Sequence, residues 1–245
     1  VSAAQMGALE LHVWGARTDR LERPDRLVLD LDPDEAVEFK EVKTAAMEVR
    51  DVLASAGLTS FPLLTGGKGI HVIAPLERRR DWPDVKAAAK GLAEHLARAA
   101  PDRYVSVASK AKRKGKIYID WLRNERGATA ICPYSLRARP GAPIATPIAW
   151  AELGRIERAN QYTLSNIQRR LGALKQDPWA AYSDLRQSLS AGHLSVSDLM
   201  PRANSINRHD FSGISFLAVS RSRCGLFRGS RRARRYRPVA RTWAR

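Results

Sequence analysis

The chain has 245 residues, 44% of them hydrophobic, enough for the core of one large domain or two small ones, which excludes disorder along the whole length. Its 42 Lys and Arg against 25 Asp and Glu leave a net charge of +17, a field that draws polyanions such as nucleic acid. No stretch reaches the roughly 18 uninterrupted apolar residues of a membrane span, and Val1-Ser2-Ala3-Ala4-Gln5 lacks the basic-then-apolar layout of a secretory signal, so no membrane partner and a cytoplasmic location are expected.

In chain order, residues 9–14 and 26–32 carry strand patterns. Asp34 is placed to N-cap a helix through about Ala56, in which Val42, Ala45, Ala46, Val49, Val52, Leu53 and Ala56 form one apolar stripe and which Gly57 ends. Residues 60–64 and 70–74 are short apolar strands around Thr65-Gly66-Gly67-Lys68-Gly69. A second amphipathic helix is predicted from about Pro83 to Ala100, with Pro83 in its first turn. Residues 104–107 and 117–122 read as strands joined by a basic hairpin loop, residues 110–116. A proline-rich turn region (133–147) and a last helix (163–174) complete a mixed α/β domain over residues 1–182.

Residues 183–245 differ. They hold 13 Arg, no Lys and 3 acids, with no sustained apolar period. Both a disordered basic nucleic-acid tail and an out-of-frame reading of GC-rich DNA fit that composition. Cys132 and Cys224 are too isolated for a disulfide framework or a Cys-ligated zinc.

Three constellations carry chemistry. Asp30 and Asp32 are two apart on a strand, so both carboxylates point to one face while Leu29 and Leu31 pack on the other. Such a pair repels itself unless a divalent cation such as Mg²⁺ or Mn²⁺ neutralises it; the alternative is an exposed acidic strand end. The segment from Thr65 to His71 offers glycine amides, Lys68 and His71 to a phosphate, but lacks the Ser or Thr and the helix that follow a P-loop lysine. A glycine-rich hairpin turn with Lys68 in solvent is the other reading. Asp120, inside the apolar run Ile117-Tyr118-Ile119-Asp120-Trp121, needs a partner to be buried. It is either a third ligand of the same cation or one half of an ion pair with an arginine. Arg137 and Arg139, two apart in an extended segment, reach far enough to share one triphosphate. His12 alternates with apolar neighbours, which fits a sheet histidine. Together, three carboxylates, a glycine loop and arginines describe metal-assisted phosphoryl or nucleotidyl transfer.

The order and spacing of Leu27-Val28-Leu29-Asp30-Leu31-Asp32-Pro33, Thr65-Gly66-Gly67-Lys68-Gly69-Ile70-His71-Val72, Ile117-Tyr118-Ile119-Asp120-Trp121-Leu122-Arg123-Asn124 and Pro133-Tyr134-Ser135-Leu136-Arg137-Ala138-Arg139 resemble the polymerase domain of bacterial ATP-dependent DNA ligase D, a member of the archaeo-eukaryotic primase superfamily. The resemblance covers about residues 5–182. It implies a primase-polymerase core, a mixed sheet flanked by helices, that adds ribonucleotides, and less readily deoxyribonucleotides, to DNA 3′ ends in non-homologous end joining. It matches Asp30, Asp32 and Asp120 to ligands of two divalent ions, Mn²⁺ or Mg²⁺, and Thr65, Lys68, His71 and Arg137 to residues that hold the incoming nucleoside triphosphate, with Arg123 and His12 also at active-site positions. The implied partners are DNA ends, a DNA ligase and a Ku-type end-binding protein, in association with the nucleoid. The family's domain also has an N-terminal lobe that these residues do not include, and weak or lost activity of the chain as it stands is therefore expected. A non-catalytic DNA-end-binding remnant and a stand-alone primase are the alternative functions.

Overall fold

Period-two alternation along three strands sends most of their aliphatic residues to one face of a sheet and all of their acids and histidine to the other. The computed structural model describes residues 2–189 of the chain. Its elements are a single helical turn α1 (Ser2–Gln5), β1 (His12–Trp14), β2 (Arg26–Pro33), α2 (Phe39–Ser55), β3 (Phe61–Leu64), β4 (Ile70–Pro75), α3 (Trp82–Ala99), β5 (Tyr104–Val105), β6 (Ile117–Asp120), β7 (Thr129–Ile131), β8 (Thr146–Pro147) and α4 (Ile167–Ala173). Six strands form one sheet in the order β5-β6-β2-β4-β3-β8, and β1 and β7 make a separate two-stranded ribbon. Every pairing is antiparallel except β5 with β6. This is the mixed α/β sheet with flanking helices that the sequence predicts.

One face of the sheet carries Leu27, Leu29 and Leu31 of β2, Ile70, Val72 and Ala74 of β4, and Ile117 and Ile119 of β6. Against it pack the apolar stripes of α2 (Val42, Ala45, Ala46, Val49, Leu53) and α3 (Val85, Ala88, Ala89, Leu92, Ala93, Leu96), all inaccessible or nearly so. Burial of this seam is the main driving force for the fold, at about 25 cal/mol per Å² of apolar surface removed from water. Neither α2 nor α3 packs on the opposite face. It holds a smaller cluster of Val28, Leu63, Ile73, Ile131 and Ala145, flanked by Trp179 and Tyr182. Beyond that cluster the same face carries Asp30, Asp32, His71 and Asp120.

Several local expectations are corrected. The first long helix starts at Phe39 rather than after Asp34, because the Asp34 N–H donates to Lys116 O at 3.0 Å and its Oδ1 accepts from Ala36 N at 3.2 Å, closing a turn instead of a helix cap. The basic segment 110–116 is no hairpin loop: β5 and β6 run parallel, so it is part of a crossover, with a 3-10 turn at Lys110–Lys112. β6 stops at Asp120, two residues early, where a 3-10 turn (Leu122–Asn124) begins. The short strands β7 and β8 went unpredicted, and α4 is shorter at both ends than 163–174.

Residues 183–189, assigned from sequence to the tail, pack on the domain. Gln187 brackets Thr59, accepting from its N–H and donating to its carbonyl, and its side chain also donates to Pro75 O; Leu189 is 3% exposed in the main core. Ending the chain after Tyr182 is expected to lower the melting temperature relative to a chain ended after Leu189, by several degrees for about 2 kcal/mol of lost burial and hydrogen bonding. Equal melting temperatures would show that this strap adds nothing. The rest of the expected tail lies outside the described residues. Among the described residues no helix is long and apolar enough to cross a membrane.

Candidate active site

Asp30 occupies the centre of the face opposite α2 and α3 because of strand register. It is the cross-strand partner of His71 on β4 and of Asp120 on β6, so three chemically active side chains meet across three adjacent strands. Asp30 is 9% exposed, and its Oδ2 lies 3.3 Å from His71 Nε2 and 3.3 Å from Arg123 Nε. Burial would raise its pKa, but His71 and Arg123 outweigh that and hold the carboxyl below its ordinary value. Asp32, at the more exposed strand end, is pushed the other way, first by burial and then by the charge of Asp30. The surroundings of the two carboxylates thus push them in opposite directions.

Asp120 is buried and fully partnered. Its Oδ1 accepts from Tyr118 Oη at 3.2 Å and from Leu122 N at 2.9 Å, and its Oδ2 pairs with Arg123 Nε at 3.2 Å. The Tyr118 hydroxyl, pushed up to about 12 by burial and by Asp120, remains a donor. Arg123 therefore bridges Asp30 and Asp120, and gives the buried Asp120 an arginine partner. Arg113, from the basic crossover, donates to Asp32 Oδ2 at 3.1 Å while its guanidinium lies 3.7 Å from the Tyr118 ring centroid. The donor set of three carboxylates on neighbouring positions is chemically that of a hard divalent cation. As the side chains stand, two arginines serve as counterions, and among the described residues no three His, Cys, Asp or Glu side chains converge on one point to hold a metal ion.

The segment 65–69 is the hairpin turn between β3 and β4. Thr65 closes it, its Oγ1 donating to Gly69 O at 3.0 Å and accepting from Gly67 N at 3.2 Å. A Cβ on Gly69 would collide with the Leu31 carbonyl, so glycine there lets the turn lie against β2 beside Asp32. The amides were expected to face phosphate. Two of them do not: Gly66 N donates to Ala159 O at 3.2 Å and Gly67 N to Thr65 Oγ1 at 3.2 Å. Arg137 Nη1 donates to Thr65 O at 2.9 Å, and Lys68 makes a solvent-exposed pair with Glu35 at 3.2 Å.

These residues line one cavity of about 310 Å³, at the lower end of the range for small-molecule sites. His12, Asp30, Asp32, Thr65, Lys68, His71, Arg123 and Arg137 all line it; of the residues singled out from sequence only Asp120 does not, and it lies directly behind through Asp30 and Arg123. Lys68, Arg123, Arg137 and Arg139 against Asp30 and Asp32 make the wall net positive. His71 Nδ1 is buried without a partner among the described residues. Sequence reasoning missed Ala130 and Ile131 of β7, Arg113 and Glu10. The β-pattern Thr129-Ala130-Ile131 was the available signal for β7; the arginine and the glutamate gave none.

The family model described as "LigD, primase-polymerase domain" matches residues 1–179. The chain is 45% identical over 192 residues to the multifunctional non-homologous end joining protein LigD of Pseudomonas aeruginosa, covering 78% of this chain and 23% of that protein. It is 39% identical over 158 residues to the multifunctional non-homologous end joining DNA repair protein LigD of Mycobacterium tuberculosis, covering 61% and 21%. The chain thus spans about a quarter or less of the length of these relatives. The fold is similar to the polymerase domain of Mycobacterium tuberculosis ligase D in complex with DNA, with a TM-score of 0.67 at 33% identity over 76% of this chain and 67% of that one.

Proposed function

The chain belongs to the LigD primase-polymerase family, and from that premise we propose that it is a nucleotidyltransferase that adds nucleotides to DNA 3′ ends in repair of double-strand breaks by non-homologous end joining. The observation that carries this reading is the single cavity in which Asp30 and Asp32 face Lys68, His71, Arg123 and Arg137. Nucleotidyl transfer needs that pairing: carboxylates to hold divalent ions, and cations to orient a triphosphate. The solved relative's complex with DNA supports DNA as the other substrate, and the net charge of +17 supports attraction to it. A ligase to seal the extended end and a Ku-type protein to hold it are the partners this function calls for, on the nucleoid.

Asp30, Asp32 and Asp120 would hold two divalent ions, Mn²⁺ or Mg²⁺, once Arg113 and Arg123 yield their carboxylates. Such ions supply Lewis acidity, easing deprotonation of a 3′-hydroxyl and neutralising charge on the triphosphate. Lys68, released from its exposed pair with Glu35, meets the triphosphate as a point charge, and Arg137, anchored on the Thr65 carbonyl, meets it as a fork. Thr65 keeps the turn closed beneath them. His71 is held rigid by the buried Asp30 and has a ring nitrogen left to bond a ligand. His12 and Arg123 close the remaining walls. The work left to the protein is alignment, since misplacing the attacking oxygen by about 1 Å can cost a hundredfold.

Loss of a charged hydrogen bond to phosphate is expected to weaken ATP and GTP binding in Mn²⁺ by about 1.5–3 kcal/mol in Lys68→Ala and in Arg137→Ala. Isothermal titration checks this, and unchanged affinity would return both side chains to solvent-facing charge. The function itself is tested by incubating the chain with a recessed 3′-end primer, ribonucleotides and Mn²⁺. Primer extension that needs Asp30 supports transferase activity; nucleotide binding without any Asp30-dependent extension would argue for a binding remnant.

A further inference from the structure

Glu10, just ahead of β1, touches two cavity residues at once. Its Oε1 accepts from Arg137 Nε at 3.2 Å and from Ala138 N at 2.8 Å, and its Oε2 lies 3.3 Å from His12 Nε2. The backbone brings it there. β1 pairs with β7 through His12 and Ile131, Cys132 N donates to Leu11 O at 2.9 Å, and Leu11 N donates to Ser135 Oγ at 2.7 Å, so residues 10–12 run antiparallel to the segment that carries Arg137. From its other edge Arg137 donates through Nη1 to Thr65 O at 2.9 Å. The guanidinium is thus pinned between Glu10 and the 65–69 turn. Nη2 is left without a protein partner among the described residues, on a side chain that lines the cavity.

A carboxylate is an unexpected neighbour for a site that receives a triphosphate. Its charge repels phosphate and cancels part of the arginine's attraction, so it lowers affinity unless it contributes something else. What it contributes is order: a free arginine loses several rotatable bonds' worth of freedom when it binds, whereas one already held at two edges does not. The carboxyl is also held below its ordinary value, first by the Ala138 N–H, which keeps it an ionised acceptor at neutral pH.

We infer that Glu10, on the nucleotide-binding reading above, is a positioning residue that holds Arg137 and His12 toward the incoming triphosphate. The two opposing effects separate under substitution. Glu10→Gln keeps the oxygen that accepts from Arg137 and Ala138 and removes the charge; Glu10→Ala removes both. Affinity for ATP with Mn²⁺, measured by titration calorimetry, is expected to be equal to or tighter than wild type in Glu10→Gln and about five- to tenfold weaker in Glu10→Ala. Most of that loss should vanish when Glu10→Ala is made in an Arg137→Ala background. A role confined to stability would instead lower the melting temperature of Glu10→Ala and leave its affinity for ATP unchanged. Unchanged or tighter binding by Glu10→Ala, or equal weakening by both variants, overturns the inference. Failure of the wild-type chain to bind ATP at all overturns the nucleotide-binding reading itself, and the inference with it.

Discussion

Asp30→Ala is expected to reduce nucleotidyl transfer by at least about a hundredfold, since loss of a mere hydrogen-bond partner of a metal ligand already costs ten- to a hundredfold. Two consequences combine. The substitution removes one of the three carboxylates proposed to bind divalent ions, and it strands His71, whose Nε2 sits 3.3 Å from Asp30 Oδ2 in a nearly inaccessible position. Arg123 would be left to pair with Asp120 alone. Asp30→Asn separates charge from shape, because the amide oxygen can still accept from Arg123 while the anion is gone. Primer extension by the two variants, at matched folding by circular dichroism, makes the comparison. Activity within tenfold of wild type in Asp30→Asn would mean that Asp30 serves packing rather than charge.

Asn124→Leu is expected to be the most destabilising single change near the site. Asn124 is 2% exposed, and its side chain takes the place of a neighbouring strand: Oδ1 accepts from Val28 N at 2.8 Å, and Nδ2 donates to Val28 O at 2.7 Å and to Trp121 O at 2.8 Å. β6 ends at Asp120, so without Asn124 the β2 backbone at Val28, two residues before Asp30, would have buried polar groups with nothing to bond. Each unsatisfied group costs about 1–3 kcal/mol, so the N–H and C=O of Val28 together cost about 2–6 kcal/mol against a domain stability of about 5–15 kcal/mol. In urea the midpoint should fall sharply with an unchanged slope. A loss below about 1 kcal/mol would mean that water reaches Val28 and replaces the side chain.

The parts of the fold legible in the sequence were those set by local periodicity. The stripe from Val42 to Leu53 gave α2, alternation gave β2 and β4, and Pro83 marked the start of α3 within a residue, where the structure adds Asp81 as a cap accepting from Asp84 N at 3.1 Å. What periodicity does not encode is which strands pair. Nothing local says that β6 pairs antiparallel with β2 and parallel with β5, and that choice alone turned a supposed hairpin loop into a crossover that carries Arg113 to Asp32. The site divides in the same way. Asp30, Asp32, Lys68, His71 and Arg137 stood out because their residue types and spacings were chemically unusual, and they share one cavity. Glu10 and Arg113 carried no signal, since an acid before a strand and an arginine in a basic run are ordinary surface residues until tertiary structure gives each a partner.

On the proposed function, the face of the sheet opposite α2 and α3 binds a nucleoside triphosphate together with divalent ions held by Asp30, Asp32 and Asp120. Calorimetric titration of ATP into the chain, with and without Mn²⁺, for wild type and Asp120→Ala, tests it most directly. Wild type should bind ATP much more tightly with Mn²⁺ than without, and Asp120→Ala should lose most of that difference. ATP binding by wild type that is indifferent to Mn²⁺, or an Mn²⁺ dependence equal in both proteins, would contradict it.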